Sequence, residues 1–440
     1  MSFPKELNYA SNKPMASTGK PEILRFKADN SSYPQSGTVR IEIPTGRRGM
    51  HLYPLQSYIE GQITVSATAS DTAGQIYLDQ SIYSIVRRLR VLHGSTVLED
   101  TLYTNRLWNT VYDMQKNSSE REGDSISIMA DAATGVIGAN MGITTVAATS
   151  VASAVFDFTF QLPSALLGTL ASKSLPLGLM GASSLYIELE LEPAIIPFVG
   201  SSTVTSIDSY SLTNIYYNAK ISSLPSDVEG ALIQSTGGEI LLPAVSYKGE
   251  LKTMATGTAF NDKFSFQYSS LKNFLFIMQS SDTASGVTSG QLKRCITSRP
   301  CWNLSEWNLM INGEPYPSQT INKPSKMYME VLRAFDAMAH TNAGGILGKN
   351  NYFVGTGALA NDVLNATVAN TVQYRFVAGV DLDRFNHSSD VLLSGTNTIG
   401  QTVNLNLLFG TTIPVGMNIY GFVMYDILYQ LIDGMLRAKY

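Results

Sequence analysis

Catalysis needs side chains that can move a proton, attack a carbon or hold a metal, and in this sequence such side chains are scattered. His51, His93, His340 and His387 fall in unrelated contexts, with no HExxH or other ligand spacing. That suits core or solvated imidazoles rather than a metal site. Cys295 and Cys301 are the only cysteines, too few for a disulfide framework in 440 residues or for a zinc site without nearby histidines. This usage fits an intracellular origin. No GxSxG nucleophile elbow is present. The expected inventory of catalytic residues, metals and cofactors is none.

Two glycine-rich stretches invite a phosphate or nucleotide. Gly344 to Lys349 (GGILGK) has Ala343 at the leading glycine position, and Asn350 where a hydroxyl should reach magnesium, so it reads as a flexible loop. Gly355, Gly357 and Ala360 satisfy GxGxxA, yet no series of βαβ units surrounds them, and Arg375 occupies the place of the acidic ribose ligand. Glu188 and Glu190 lie two apart on one strand face, ordinary for solvated or interface carboxylates. Arg87, Arg88 and Arg90 form the tight basic cluster, suited to phosphate or to a partner's carboxylates, with a salt bridge at a subunit interface preferred over nucleic acid. Asn30, Asn117, Asn303, Asn365 and Asn386 sit in N-x-S/T sequons, read as chance in a Ser/Thr-rich chain.

Bulk composition narrows the class further. Charged residues make up 15%, against about 25% in ordinary soluble domains, so much of the surface must be small and polar. A formal charge of −4 gives no global counterion-release attraction, and no direct sequence-specific nucleic-acid binding is expected. Lys5, Lys13 and Lys20 precede no apolar run, so residues 1 to 20 read as a mobile arm rather than a secretory signal. No apolar stretch reaches about 18 residues, the length a membrane helix needs, and a soluble protein is expected.

The elements that would position any site are mostly strands. Period-2 alternation marks Thr38 to Ile43, Tyr58 to Ala67, Val155 to Phe160 and Leu185 to Leu191, then Lys263 to Phe266, Asn273 to Met278, Trp307 to Ile311, Val372 to Val377, Thr402 to Phe409 and Ile419 to Leu428. Two amphipathic helices are expected. One covers Asn105 to Gln115, with Leu107, Val111 and Met114 on one face; the other covers Ser325 to Met338, with Tyr328, Leu332, Phe335 and Met338. Residues 118 to 153, rich in Ala, Ser, Thr and Gly, stand outside the strand pattern as a long loop whose counterpart runs from about Ala339 to Ala369.

These elements recur in order at a nearly fixed offset, the mark of internal duplication. Tyr58 matches Phe274 (274 − 58 = 216), Gly94 matches Gly313 (219), Val155 matches Val372 (217) and Leu185 matches Val403 (218), with a helix after each glycine. The expected division is an arm at 1 to 20, one β-sandwich at 21 to 225 and a second at 226 to 440, separated at Pro225 in SSLPS.

The shared plan of strand, His-Gly or Asn-Gly turn, helix and later strands between long loops resembles the double jelly-roll major capsid proteins of tailless icosahedral viruses. Within that adenovirus-type lineage it is most similar to polinton-like and virophage-type proteins. Arg88 to Gln115 (RLRVLHGSTVLEDTLYTNRLWNTVYDMQ) and Ser394 to Tyr440, with its SGTNT turn and closing YGFVMYDILYQL strand, carry the likeness. It implies an all-β fold of two tandem jelly rolls with a few short helices in the loops. It further implies a non-enzymatic homotrimer with a pseudo-sixfold outline, made inside the host cell and placed in the virion shell. The implied partners are neighbouring capsomers, penton and minor capsid proteins, with the arm facing an internal membrane or another capsomer. A glycan-binding or adhesive β-sandwich protein is the alternative.

Overall fold

A computed structural model describes residues 20–69, 76–129, 139–140, 151–181, 183–193, 196–200, 204–281, 296, 299–335, 352–353, 375–384, 394–413 and 416–440. Sixteen principal strands make two pairs of sheets among these residues. The first pair uses β1 (Lys20–Lys27), β2 (Thr38–Ile43), β3 (Tyr58–Ala69), β4 (Val86–His93), β5 (Thr96–Leu102), β6 (Val151–Phe160), β7 (Leu185–Leu191) and β8 (Val204–Ser223). The second uses β9 (Ile240–Met254), β10 (Gly257–Phe264), β11 (Leu271–Ser280), β12 (Leu304–Ile311), β13 (Glu314–Ile321), β14 (Ala378–Asp381), β15 (Val403–Ile413) and β16 (Met417–Ile432).

In the first pair the strand orders are β1-β8-β3-β6 and β2-β7-β4-β5; in the second they are β9-β16-β11-β14 and β10-β15-β12-β13. Adding eight to every label of the first pair gives the second, so one antiparallel plan occurs twice. Shorter strands extend it: Ser32–Pro34 and Met50–Leu52 on β8, and Met435–Lys439 on β16.

Alternation in the sequence becomes two faces in space. On β7, Leu185, Ile187, Leu189 and Leu191 are buried while Tyr186, Glu188 and Glu190 are half-exposed. Opposite them, Ile59, Ile63 and Val65 of β3 close the first core; Phe274, Phe276, Trp307, Leu405 and Leu407 fill the second. Burying each such side chain contributes about 1.5–3 kcal/mol before ordering costs. The matched glycines stand in matched hairpins. Gly94 turns β4 into β5 with φ +59°, and Asn312 (φ 53°) with Gly313 (φ +85°) turn β12 into β13, conformations that two-residue β-turns require.

Several expectations need correction. A strand, β5 or β13, separates each turn from its helix. Neither strand carries period-2 alternation, because Glu99, Asp100 and Thr101, like Ser318, Gln319 and Thr320, break it. Within VQYRFV, residues 372–374 lie outside the described residues and Arg375 makes an isolated bridge to Arg299; the strand is β14, starting at Ala378. Helix α1 (Thr104–Gln115) is as expected. The supposed loop from Ser118 begins instead with a second helix, α2 (Ser118–Ile128), started by a capping box between Asn117 and Glu120 at 2.9 and 3.0 Å. α3 (Ser226–Thr236) joins β8 to β9, and α4 (Pro324–Ala334) follows β13. The arm at 1–19, and residues 339–351 and 354–369 of the second long loop, lie outside the described residues.

Candidate functional site

α1 is the pivot of the molecule. Leu107, Val111 and Met114 pack into the first sandwich as the spacing predicts, yet the opposite face is buried as well. Arg106, Thr110 and Asp113 stand at i, i+4 and i+7, one stripe of the helix, and all three reach residues of the second half of the chain. Arg106 donates to Gln279 on β11 at 2.9 Å and to Glu192 at 2.9 Å, with its guanidinium 4.7 Å from the ring centre of Tyr420 on β16. Thr110 Oγ1 accepts from Arg299 at 3.1 Å.

Asp113 is fully buried and pairs with Arg121 of α2 at 2.5 Å and with Arg299 and Arg375, while Gln80 adds an amide donor at 2.6 Å. Burial alone would push this carboxyl up. The charges of Arg375, Arg299 and Arg121 outweigh it and hold the group below the ordinary carboxylate value. Removing one side of such a buried cluster leaves uncompensated charge, so the cluster fixes the relative placement of the two sandwiches.

β5 continues the seam along the edge strand β9. Thr101 donates to the Tyr247 carbonyl at 2.9 Å, and Lys248 donates to the Asp100 carbonyl at 3.0 Å with its Nζ 3.6 Å from the Asp100 carboxylate. Glu99 accepts from Ala165 N at 2.6 Å and from Ser246 Oγ at 3.3 Å, and also bonds Ser164. Among the described residues no cation pairs with it, and burial raises its pKa. Gly249 is required here by proximity, because an added Cβ would collide with the Leu102 carbonyl across the seam. At the far end Leu436 N donates to His93 Nδ1 at 3.3 Å and Gly181 N to the Gly434 carbonyl at 2.7 Å.

The outer face of the β2-β7-β4-β5 sheet carries a ladder of alternating charge. Glu188 lies between Arg40 (3.8 Å) and Arg90 (2.5 Å), Arg87 reaches Glu190 at 3.6 Å, and Arg88 grips Asp100 with two bonds of 2.7 and 2.9 Å. The basic cluster and the glutamate pair, read separately from the sequence, thus pair with each other within one chain. At the matching positions the second sandwich has Asn261, Asn406 and Asn308 in register, with Asn406 donating to Asn308 at 2.9 Å.

Comparison with family models and with characterised protein sequences gives no match. Comparison of structures does. A chain of the Sputnik virophage structure matches over 100% of this chain and 92% of its own, with a TM-score of 0.60 at 13% identity. The mavirus major capsid protein matches over 100% and 95%, with a TM-score of 0.54 at 9% identity. The Faustovirus major capsid protein matches over 95% and 91%, at 0.55 and 7%. The fold is a double jelly roll.

Within the double jelly roll, the remaining residues singled out from the sequence are dispersed. His51 and His93 are buried far apart in the sequence, and burial lowers the pKa of each. Cys301 is buried and its thiol is pushed up to about 11, which suppresses the thiolate. Arg375 belongs to the Asp113 cluster and Asn117 caps α2. Cys295, His340, His387, Asn365, Asn386 and both glycine-rich stretches lie outside the described residues. Among the described residues no three His, Cys, Asp or Glu side chains are grouped to hold a metal ion, and no helix is long and apolar enough to cross a membrane. Sequence reasoning missed the seam itself. Its one visible trace was the polar stripe Arg106, Thr110 and Asp113 opposite the apolar stripe of α1.

Proposed function

We propose that this double jelly roll is a major capsid protein, a structural subunit that trimerises into pseudo-hexameric capsomers tiling an icosahedral virus shell. The observation that carries the reading is one strand plan built twice and locked by a buried polar seam. One chain then presents two like domains at a fixed angle, and a threefold ring of chains acquires a six-sided outline. The division proposed is an arm at 1–20, a first jelly roll at 21–225 and a second at 226–440; the end of β8 at Ser223 and the start of α3 after Pro225 support it.

On this reading the chain has no catalytic task and needs no cofactor. Its partners are copies of itself, neighbouring capsomers, and penton and minor capsid proteins; its place is the virion shell, after synthesis inside the host cell. A second reading, a glycan-binding or adhesive protein, draws support from a cavity of about 440 Å³ lined by Tyr58, Tyr83, Trp108, Tyr112 and Phe160, since sugars stack on aromatic rings. Electron micrographs of the expressed protein separate the two. Particles of hexagonal outline or closed shells support the capsid subunit; a dispersed protein captured by immobilised glycans supports the adhesin.

A further inference from the structure

In each sandwich a helix follows the second strand of the matched hairpin and lies beside an edge strand, β6 or β14, and the two contacts differ. In the second sandwich α4 rests directly on β14: a Cβ added at Gly379 would come within 3.5 Å of the Ala334 Cβ. In the first, α1 and α2 stand off the end of β6 and leave a cavity of about 440 Å³. Where β14 offers a glycine, the end of β6 offers Phe160, whose ring lines the opening.

The lining divides by chemistry. One wall is aromatic: the Tyr83 ring lies 6.4 Å from Trp108 and 5.6 Å from Phe160, and Tyr58, at the start of β3, is 37% exposed. Rings left in contact with water forgo hydrophobic burial, so a ligand with an apolar face gains by covering them. The other wall is polar. Asp124 Oδ2 accepts from the Tyr112 hydroxyl at 3.0 Å and lies 3.7 Å from Lys116 Nζ, and among the described residues its Oδ1 accepts no bond. Gln161 donates its amide to the Leu55 carbonyl at 2.9 Å, which leaves its Oε1 as an acceptor, and Gln115, Ser127 and Thr159 add further polar groups.

The volume falls within the roughly 300–1,000 Å³ of small-molecule sites. Charge and polarity set the class of ligand. Asp124 and Lys116 compensate each other, so an ion finds no net opposite charge, and a purely apolar molecule would strip water from the carboxylate and the amides without replacing its bonds. A pyranose suits both walls, because it carries C–H groups on one face and hydroxyls around its rim. We propose that this cavity is a binding site for a neutral sugar, with Tyr58, Tyr83 and Trp108 covering its C–H face and Asp124 and Gln161 accepting from its hydroxyls. The site goes beyond the capsid reading: the shell subunit is itself a sugar binder, where the adhesin reading calls for a different kind of protein.

Saturation-transfer NMR of the purified wild-type protein with the methyl glycosides of glucose, galactose, mannose and N-acetylglucosamine tests this. At least one of them is expected to bind with a dissociation constant in the millimolar range or below, with transfer strongest at the ring C–H protons. Tyr58→Ala, at an exposed position, removes part of the aromatic wall and is expected to weaken binding about tenfold. Ser127→Trp fills the cavity from α2 without deleting a wall and is expected to abolish binding. Ile399→Glu, at a position 54% exposed in the second sandwich, leaves it unchanged. Melting temperatures equal to that of the wild type establish that the variants are folded. Failure of all four sugars to bind overturns the inference, and so does binding that survives either Tyr58→Ala or Ser127→Trp, since the sugar then sits elsewhere. Each of those results leaves the capsid reading standing, because trimers and closed shells formed without sugar decide it.

Discussion

α1 and α4 hold the same place in two sandwiches of the same plan, and they meet opposite surroundings. Both bury an apolar stripe, Leu107 and Val111 in one, Met327 and Val331 in the other. Beyond that stripe α1 buries Arg106, Thr110 and Asp113 against the second sandwich, while α4 leaves Met329 42% exposed and Arg333 half-exposed, paired at 3.0 Å with the buried Glu330. The offset of 220 that aligns Val111 with Val331 also aligns Asp113 with Arg333 (331 − 111 and 333 − 113). A duplicated element keeps the face that serves its own core and changes the face that serves its neighbour.

The largest effect that could break this contrast comes from Asp113→Ala. Three guanidinium groups would lose their shared carboxylate inside the protein, and chemical denaturation is expected to show a loss of about 3–5 kcal/mol. Arg333→Ala, at the matching position, removes one half-exposed partner of a single pair and is expected to cost about 1 kcal/mol. Equal losses at the two sites would mean that the seam is no more than another surface.

Next comes a difference in pH response between the buried Glu99 of β5 and a glutamate placed at the exposed Gln319 of β13. Burial raises the Glu99 pKa above its ordinary 4.5, so the stability it contributes is present below that value and is lost as pH rises through the raised one. Stability should fall across that window with a slope of at most about 1.4 kcal/mol per pH unit, the limit for one proton. Glu99→Gln should flatten the profile, while Gln319→Glu, on an exposed strand, should leave it unchanged. Asp113 works in the opposite sense. Its lowered pKa gives stability that is present above the ordinary 3.8 and lost as acid protonates it. Thermal melts from pH 4 to 9 read the Glu99 arm of this comparison.

What the sequence revealed follows from the same contrast. Strands facing their own core, such as β2 and β7, were legible to the residue because one wet face and one dry face give a clean alternation. β5 and α1 were legible only in part. Glu99, Thr101 and Asp113 are polar and yet buried, since their neighbour is another domain rather than water, and polarity in sequence does not distinguish the two. α2 was missed because Ser118 to Ile128 has no apolar stripe, and its helix rests on the Asn117 cap and on Arg121 reaching Asp113. The charge ladder was half legible: the Arg cluster and the Glu pair were both noticed, and only the register of β7 against β4 joins them.

The smallest effect concerns that ladder. Glu188→Gln should cost about 0.2–1 kcal/mol, and the cost should shrink as salt rises, because cross-strand ion pairs at a half-exposed face are screened. Asn406→Ala in the second sandwich removes a neutral hydrogen bond to Asn308, and its cost should not depend on salt. Denaturant titrations at low and high ionic strength distinguish the two faces.

The central claim, that duplication of one jelly roll lets three chains build a six-sided tile, is tested most directly by the mass of the purified wild-type protein in solution. Analytical ultracentrifugation at micromolar concentration should give about 143 kDa, three times 47.8 kDa. A single species at 47.8 kDa across the concentration range would contradict it.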